Sequence, residues 1–130
     1  MAEAFTLIEN AALAPLNTLR VAATARWLAT LRDPQALAAL LDRPEAQGSL
    51  LVLGEGSNVL FAGDFAGLVL RPCCTGLRIL ADDGAVARVR AEAGVGWDAF
   101  VDWTLGHGLA GLENLALIPG LVGAAPIQNI

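Results

Sequence analysis

Leu50-Leu51-Val52-Leu53-Gly54-Glu55-Gly56-Ser57-Asn58 joins a short, continuous apolar run to a polar loop bracketed by two glycines. Lying between Gly48 and Gly54, the four apolar residues suit a strand buried on both faces, as in a parallel or mixed sheet beneath helices. Working upstream, Asp33-Pro34 is a helix start, with Asp as N-cap and Pro at the first helical position. The helix is predicted from Pro34 to about Asp42, burying Leu37, Leu40 and Leu41. Ala25 to Leu31 before it is short and apolar-rich, so the pattern reads strand, helix, strand. Residues 1–16 are mostly apolar without a clean period and read as an extended lead-in.

Downstream, Val59 to Phe61 is a short apolar piece, and Gly63-Asp64 leads to a strand-like run, Leu68-Val69-Leu70. Leu77 to Ala81 and Val86 to Ala93 flank Asp83-Gly84, a strong short-range hairpin signal. The apolar spacing then becomes helical, with Trp97, Phe100, Val101 and Leu105 at i, i+3, i+4 and i+8. Gly106 and Gly108 are expected to end that helix by the left-handed route. The fold class is therefore α+β, a mixed sheet with helices packed on it. A doubly wound sheet is disfavoured because strands and helices stop alternating, and a dinucleotide-binding Rossmann unit because no G-x-G-x-x-G follows the first strand.

The chain has 130 residues, 55% hydrophobic and 16% charged, which gives a packed core and excludes disorder for most of its length. One ordinary domain fits that length and two do not. Mean hydropathy is +0.57, and Asn114 to Ile130 carries no charge, yet Pro119, Gly120, Gly123, Pro126, Gln128 and Asn129 break that stretch far short of a membrane span. Glu3 and Glu9 replace the basic start of a secretory signal, so the expected compartment is the cytoplasm. The net charge is -5, and the basic residues, all Arg, are scattered from Arg20 to Arg90, which argues against nucleic acid as a partner. Cys73 and Cys74 are adjacent, which disfavours an ordinary disulfide between them, and two ligands do not make a metal site.

Two loops carry candidate chemistry. In Gly54-Glu55-Gly56-Ser57-Asn58 the glycines allow positive φ, so that successive amides can converge on an anion, and Ser57 and Asn58 add side-chain donors. Phosphate is the natural guest; a glycine-rich turn with a polar rim is the other reading. No Lys follows the second glycine, so the loop is not a Walker loop. The second loop, Ile118-Pro119-Gly120-Leu121-Val122-Gly123-Ala124-Ala125-Pro126-Ile127-Gln128-Asn129, is small-residue-rich and admits a flat or extended ligand against backbone; an apolar loop packed against further chain is the alternative. His107 reads as a helix-end histidine near the negative dipole. Glu113 and Asn114 read as caps of a short turn, and Asp98 and Asp102 as a solvated helix face. No catalytic triad, zinc spacing or paired carboxylate emerges.

Asn17-Thr18, the run Leu53 to Phe61 (L-G-E-G-S-N-V-L-F) and the run Gly111 to Ile130 (G-L-E-N-L-A-L-I-P-G-L-V-G-A-A-P-I-Q-N-I) closely resemble the UDP-N-acetylenolpyruvoylglucosamine reductase family, also called UDP-N-acetylmuramate dehydrogenase. The resemblance runs from Asn17 to Ile130 in the family's order and spacing. It implies a PCMH-type (vanillyl-alcohol-oxidase-like) FAD-binding domain over residues 17–130, with residues 1–16 as its lead-in. By resemblance, Gly54, Glu55, Gly56, Ser57 and Asn58 hold the FAD pyrophosphate. Ile118, Pro119, Gly120, Gly123, Ala124, Ala125 and Ile127 lie along the flavin and its ribityl chain. The first loop has no His, so the FAD is expected to be non-covalent.

The resemblance also implies an activity. A reductase of this family uses NADPH to reduce UDP-N-acetylglucosamine enolpyruvate to UDP-N-acetylmuramate in peptidoglycan synthesis, and the protein orients and stabilises the groups around the flavin. Many relatives carry a serine pair where this chain has Ala124-Ala125, which removes a side-chain hydrogen bond and leaves the backbone amides to serve. The family's catalytic arginine, proton-donating serine and glutamate are expected beyond Ile130, with the substrate-binding domain, so no catalytic residue is assigned here. A free-standing flavin- or nucleotide-binding module is the reading from another class. On the family reading, the charge-free segment Asn114 to Ile130 is half of a flavin site awaiting the chain that covers it.

Overall fold

The computed structural model describes residues 3–130. Contacts divide the chain into two compact units, the first ending at Cys73 and the second beginning at Cys74.

The first unit is a four-stranded mixed sheet in the order β1-β2-β4-β3, built from β1 (Phe5–Ala12), β2 (Thr24–Leu31), β3 (Leu50–Val52) and β4 (Phe65–Pro72). β1 runs antiparallel to β2, with Phe5 opposite Leu31 and Ala12 opposite Thr24. β4 is parallel to both β2 and β3. The expected extended lead-in holds for Phe5–Ala12, a full edge strand, whereas Ala14–Leu16 is a 3-10 turn and residues 1–2 of the lead-in lie outside the described residues. Leu13, Ala25, Leu28, Leu53, Phe61 and Val69 form a buried cluster, with Leu51 and Val59 packed against it.

The strand buried on both faces is β4, where Gly67, Leu68, Val69 and Leu70 are all buried. β3 departs from expectation: it is an edge strand whose Leu50 and Val52 are 45% and 60% exposed. A continuous apolar run does not reveal how many neighbours a strand has, and β3 pairs only with β4. Gly67 has no room for a side chain, since a Cβ there would lie 2.1 Å from the Ser49 carbonyl oxygen.

Between β2 and β3, Asp33 caps the expected helix by accepting a 2.9 Å hydrogen bond from the Gln35 amide. A 3-10 turn, Pro34–Ala36, runs into α1 (Leu37–Leu41). Only Leu40 of the three expected leucines is buried; Leu37 and Leu41 are exposed, because so short a helix presents barely one turn to its support.

The second unit opens with the expected hairpin, β5 (Leu77–Asp82) antiparallel to β6 (Ala87–Ala91). Its turn is tied by the Asp83 carboxylate, which accepts from the Val86 and Ala85 amides at 2.7 and 2.9 Å, while Gly84 takes φ +83. These bonds, Val86 first, hold the Asp83 carboxyl below the ordinary aspartate range. A lowered folded-state pKa means the carboxylate's contribution to the turn is present above the unfolded-state pKa and lost as pH falls through the folded value. An NMR titration of the Asp83 carboxyl carbon should therefore have its midpoint below about 3.9. A midpoint at or above that value would contradict the turn.

α2 (Trp97–Gly106) follows, with Trp97, Val101 and Thr104 buried. Leu105, expected on the buried face, is 47% exposed. The face repeats at i, i+4 and i+7, and Thr104 takes the last place by returning its hydroxyl to the Val101 carbonyl at 2.7 Å. The ending is a Schellman motif: Leu109 and Gly108 donate to the Thr104 and Leu105 carbonyls, both at 2.9 Å. Gly108 alone supplies the left-handed residue at φ +71, whereas Gly106 stays in the helix. Trp97, Val101 and Ala125 are the buried centre of this unit, with Phe100, Leu112, Leu115, Ile118 and Val122 against them. Among the described residues, no helix is long and apolar enough to cross a membrane.

Candidate functional site

The first loop is built on a backbone clamp. Gly56 is buried at φ +69, and a Cβ on it would lie 2.1 Å from the Leu16 carbonyl oxygen and 2.8 Å from the Asn17 Cα. Both left-handed geometry and close approach therefore demand glycine here. On the facing turn, the Thr18 amide and hydroxyl donate to the Gly56 carbonyl at 3.1 and 3.4 Å. That turn is itself knotted by Asn17, 3% exposed, whose Nδ2 donates to the carbonyls of Leu13 and Val21 at 2.8 and 3.2 Å. Its Oδ1 accepts from the Val21 amide at 3.0 Å. Glu55, Ser57 and Asn58 remain on the exposed side. With the Gly56 carbonyl turned inward, the exposed side chains are the Ser57 hydroxyl and the Asn58 carboxamide, which can donate to a diphosphate, and the Glu55 carboxylate, which cannot, so Glu55 could serve an anion only through its backbone amide.

The second loop is held to the segment before α2. Val122 and Gly123 donate to the carbonyls of Val95 and Ala93 at 2.8 and 3.1 Å, and Trp97 donates to the Gly120 carbonyl at 2.9 Å. A Cβ on Gly123 would sit 2.7 Å from the Ala93 Cβ. The Trp97 indole donates to the Leu115 carbonyl at 2.8 Å, and the Leu117 amide donates to Asp98 at 2.7 Å. Gly120 takes φ +121.

This arrangement corrects one expectation. The amides of Ala124 and Ala125 are already committed, to the carbonyls of Leu121 and Val122, within a 3-10 turn that leads into a short helix, α3 (Ala125–Gln128). They cannot replace the missing serine hydroxyls without breaking that turn. Ala125 is buried and Ile118 is half-buried against the same cluster, whereas Pro119, Gly123 and Ile127 are exposed, Ile127 at 88%. The loop thus offers shape and apolar surface.

Two of the remaining expectations are corrected: Glu113 and Asn114 lie inside a 3-10 turn (Glu113–Leu115) whose N-cap is Leu112, with no side-chain cap bond, and Asp98 is half-buried. His107 Nδ1 donates to the Trp103 carbonyl at 2.7 Å, and its ring lies 3.9 Å from that of Trp103. The Glu113 carboxylate accepts from its own amide and from Gly111 at 2.6 Å, which holds its pKa below the ordinary range. Asp98 is spent on Leu117, and Asp102 is exposed. A groove of about 590 Å³ in the second unit is lined by Val86, Val89, Phe100, Thr104, His107 and Leu112, among others, and not by the second loop. Local pattern reading missed Asn17 as the knot beneath the first loop, and Ala93 and Val95 as the rail of the second. Asn17-Thr18 was visible only through the resemblance, and nothing in the spacing around Ala93 signals its role.

A family model described as an FAD binding domain matches residues 25–130. The chain belongs to the FAD-binding domain family. This FAD-binding domain is 55% identical over 125 residues to UDP-N-acetylenolpyruvoylglucosamine reductase of Xanthomonas campestris pv. campestris (strain 8004), a match covering 95% of this chain and 36% of the relative. It is 56% identical over the same length to the reductase of that name from Xanthomonas oryzae pv. oryzae (strain PXO99A), again over 36% of the relative. Among solved structures, it is similar to UDP-N-acetylenolpyruvylglucosamine reductase of Thermus caldophilus, with a TM-score of 0.63 and 25% identity, over 93% of this chain and 40% of that one. The domain therefore spans little more than a third of the length of the curated relatives it matches. Both loops fall inside the family match, whereas Asn17 and Thr18 lie ahead of it.

Proposed function

We propose that residues 17–130 are the FAD-binding part of a cytoplasmic, NADPH-dependent reductase that converts UDP-N-acetylglucosamine enolpyruvate to UDP-N-acetylmuramate for peptidoglycan synthesis. The observation that carries this reading is the clamped loop Gly54 to Asn58, whose outward donors suit a diphosphate, in a chain at least half identical to reductases of that name. Gly54, Glu55, Gly56, Ser57 and Asn58 hold the pyrophosphate. Pro119, Gly120, Gly123, Ala124 and Ile127 shape the surface along the flavin, with Ile118 and Ala125 supporting it from the apolar cluster beneath. Bound flavin supplies the capacity to take up and deliver a hydride, and this chain's residues bind and orient it. The groups that contact the UDP-sugar belong to the part of the relatives' length that this chain does not span.

Titrating FAD into the intact protein, followed by flavin fluorescence, tests the reading. Ser57→Ala and Asn58→Ala should each weaken FAD about 10-fold, the loss of one hydrogen bond to a charged group. Unchanged affinity in the double variant would remove the first loop from the site, and a wild-type protein that takes up no flavin would defeat the reading altogether. Acid precipitation of the loaded protein should release all the flavin to the supernatant, since His107 lies outside both loops. A yellow pellet would disprove non-covalent binding. The second reading is a flavin- or nucleotide-binding module without reductase activity of its own. Reduction of the enolpyruvyl substrate by the intact protein with NADPH decides between the two.

A further inference from the structure

The Gly56 carbonyl has two donors from a single residue, the Thr18 amide at 3.1 Å and the Thr18 hydroxyl at 3.4 Å. Thr18 is 38 residues away in sequence and itself exposed. Among the described residues no peptide bond is cis, and in a trans peptide the N–H and the C=O point in opposite directions across the same plane. A carbonyl drawn back toward Thr18 therefore turns the next amide, Ser57 N–H, away from Thr18 and toward the open side of the loop. Without that hold the peptide can flip by rotation about ψ of Gly56 and φ of Ser57, since the absence of a Cβ on Gly56 leaves the first of these torsions little restricted, and a flipped peptide would present a carbonyl oxygen where an anion needs a donor.

We infer that Thr18, seated by the buried amide of Asn17, is a positioning residue for the diphosphate cradle, fixing the Gly56–Ser57 peptide so that its N–H faces the ligand. The inference rests on the FAD reading of the first loop. It adds a residue outside the stretch matched by the family model, one whose side chain need not touch the cofactor. Asn17 contributes at one remove. By binding the Leu13 and Val21 carbonyls and the Val21 amide, it closes the turn that brings Thr18 and the Leu16 carbonyl against Gly56.

The test uses Thr18→Val, which keeps the shape and the backbone amide and removes the hydroxyl, and Thr18→Ser, which restores it. Affinities for FAD and for riboflavin, which lacks the diphosphate, are measured on the intact protein, with the unfolding midpoint of the flavin-free form. Thr18→Val should weaken FAD about fivefold with riboflavin affinity and the unfolding midpoint unchanged, and Thr18→Ser should bind FAD like the wild type. Unchanged FAD affinity in Thr18→Val overturns the inference. Equal losses for FAD and riboflavin also overturn it, since they mark a general disturbance, as does failure of Thr18→Ser to restore binding. A wild-type protein that binds no FAD fails the underlying reading instead, so the two failures are distinguishable.

Discussion

Gly56→Val should cost the intact protein about 2–5 kcal/mol of stability and abolish measurable FAD binding. Two penalties combine. A β-branched residue at φ +69 bears the left-handed strain of about 1–2 kcal/mol that L-residues carry there, and more for its branching. The Cβ itself would meet the Leu16 carbonyl oxygen at 2.1 Å, and a backbone carbonyl cannot step aside as a flexible side chain could. The facing turn must then retreat, taking the Thr18 bonds to Gly56 with it. Because Ala introduces the same Cβ, Gly56→Ala should lose most of the same stability, which separates this account from one based on the bulk of Val. Urea denaturation of the flavin-free protein measures the first effect and FAD titration the second. A Gly56→Ala variant with a wild-type midpoint would refute the clamp.

Asn17→Ala should destabilise the protein by about 2–4 kcal/mol, seen as a lower urea midpoint with an unchanged slope. The side chain is 3% exposed and makes three hydrogen bonds, to the Leu13 and Val21 carbonyls and from the Val21 amide. Alanine leaves those groups without partners, and the bond to Leu13 is fully buried. Leucine restores bulk but no donor, so Asn17→Leu should be no better than Asn17→Ala. A variant within about 0.5 kcal/mol of wild type would mean that water replaces the amide, and that the turn does not depend on it.

Several features are legible in the sequence because their causes are local. Asp33-Pro34 starts a helix through a cap bond two residues long, and Asp83-Gly84 closes a hairpin through the carboxylate's reach to Ala85 and Val86. The glycine loops stand out for the same reason, and the family motifs around them carried the reading further than spacing alone. What escapes is set by partners distant in sequence. The edge position of β3 depends on β4 entering between it and β2, so the exposure of Leu50 and Val52 could not be read from their own run. The saturation of the Ala124 and Ala125 amides depends on a turn with no side-chain signature. Thr104 displaced Leu105 from the buried face because a threonine that satisfies its own hydroxyl within the helix is as easily buried as a leucine.

The insertion of β4 also sets an order of events during synthesis. β2 and β3 are consecutive strands that never touch as a pair; each acquires its parallel partner only when the chain through Pro72 is available. Before that, β2 can zip with β1 alone, and the segment bearing Gly54 to Asn58 has no sheet to hang from. The cofactor loop is thus made early on the ribosome and organised late, after a non-local parallel pairing of the kind that forms slowly. During that interval Leu51, Leu53 and Phe61, which the finished fold packs or buries, lie uncovered, so chaperone contact and aggregation of the nascent chain should both concentrate on the stretch between Leu50 and Phe65.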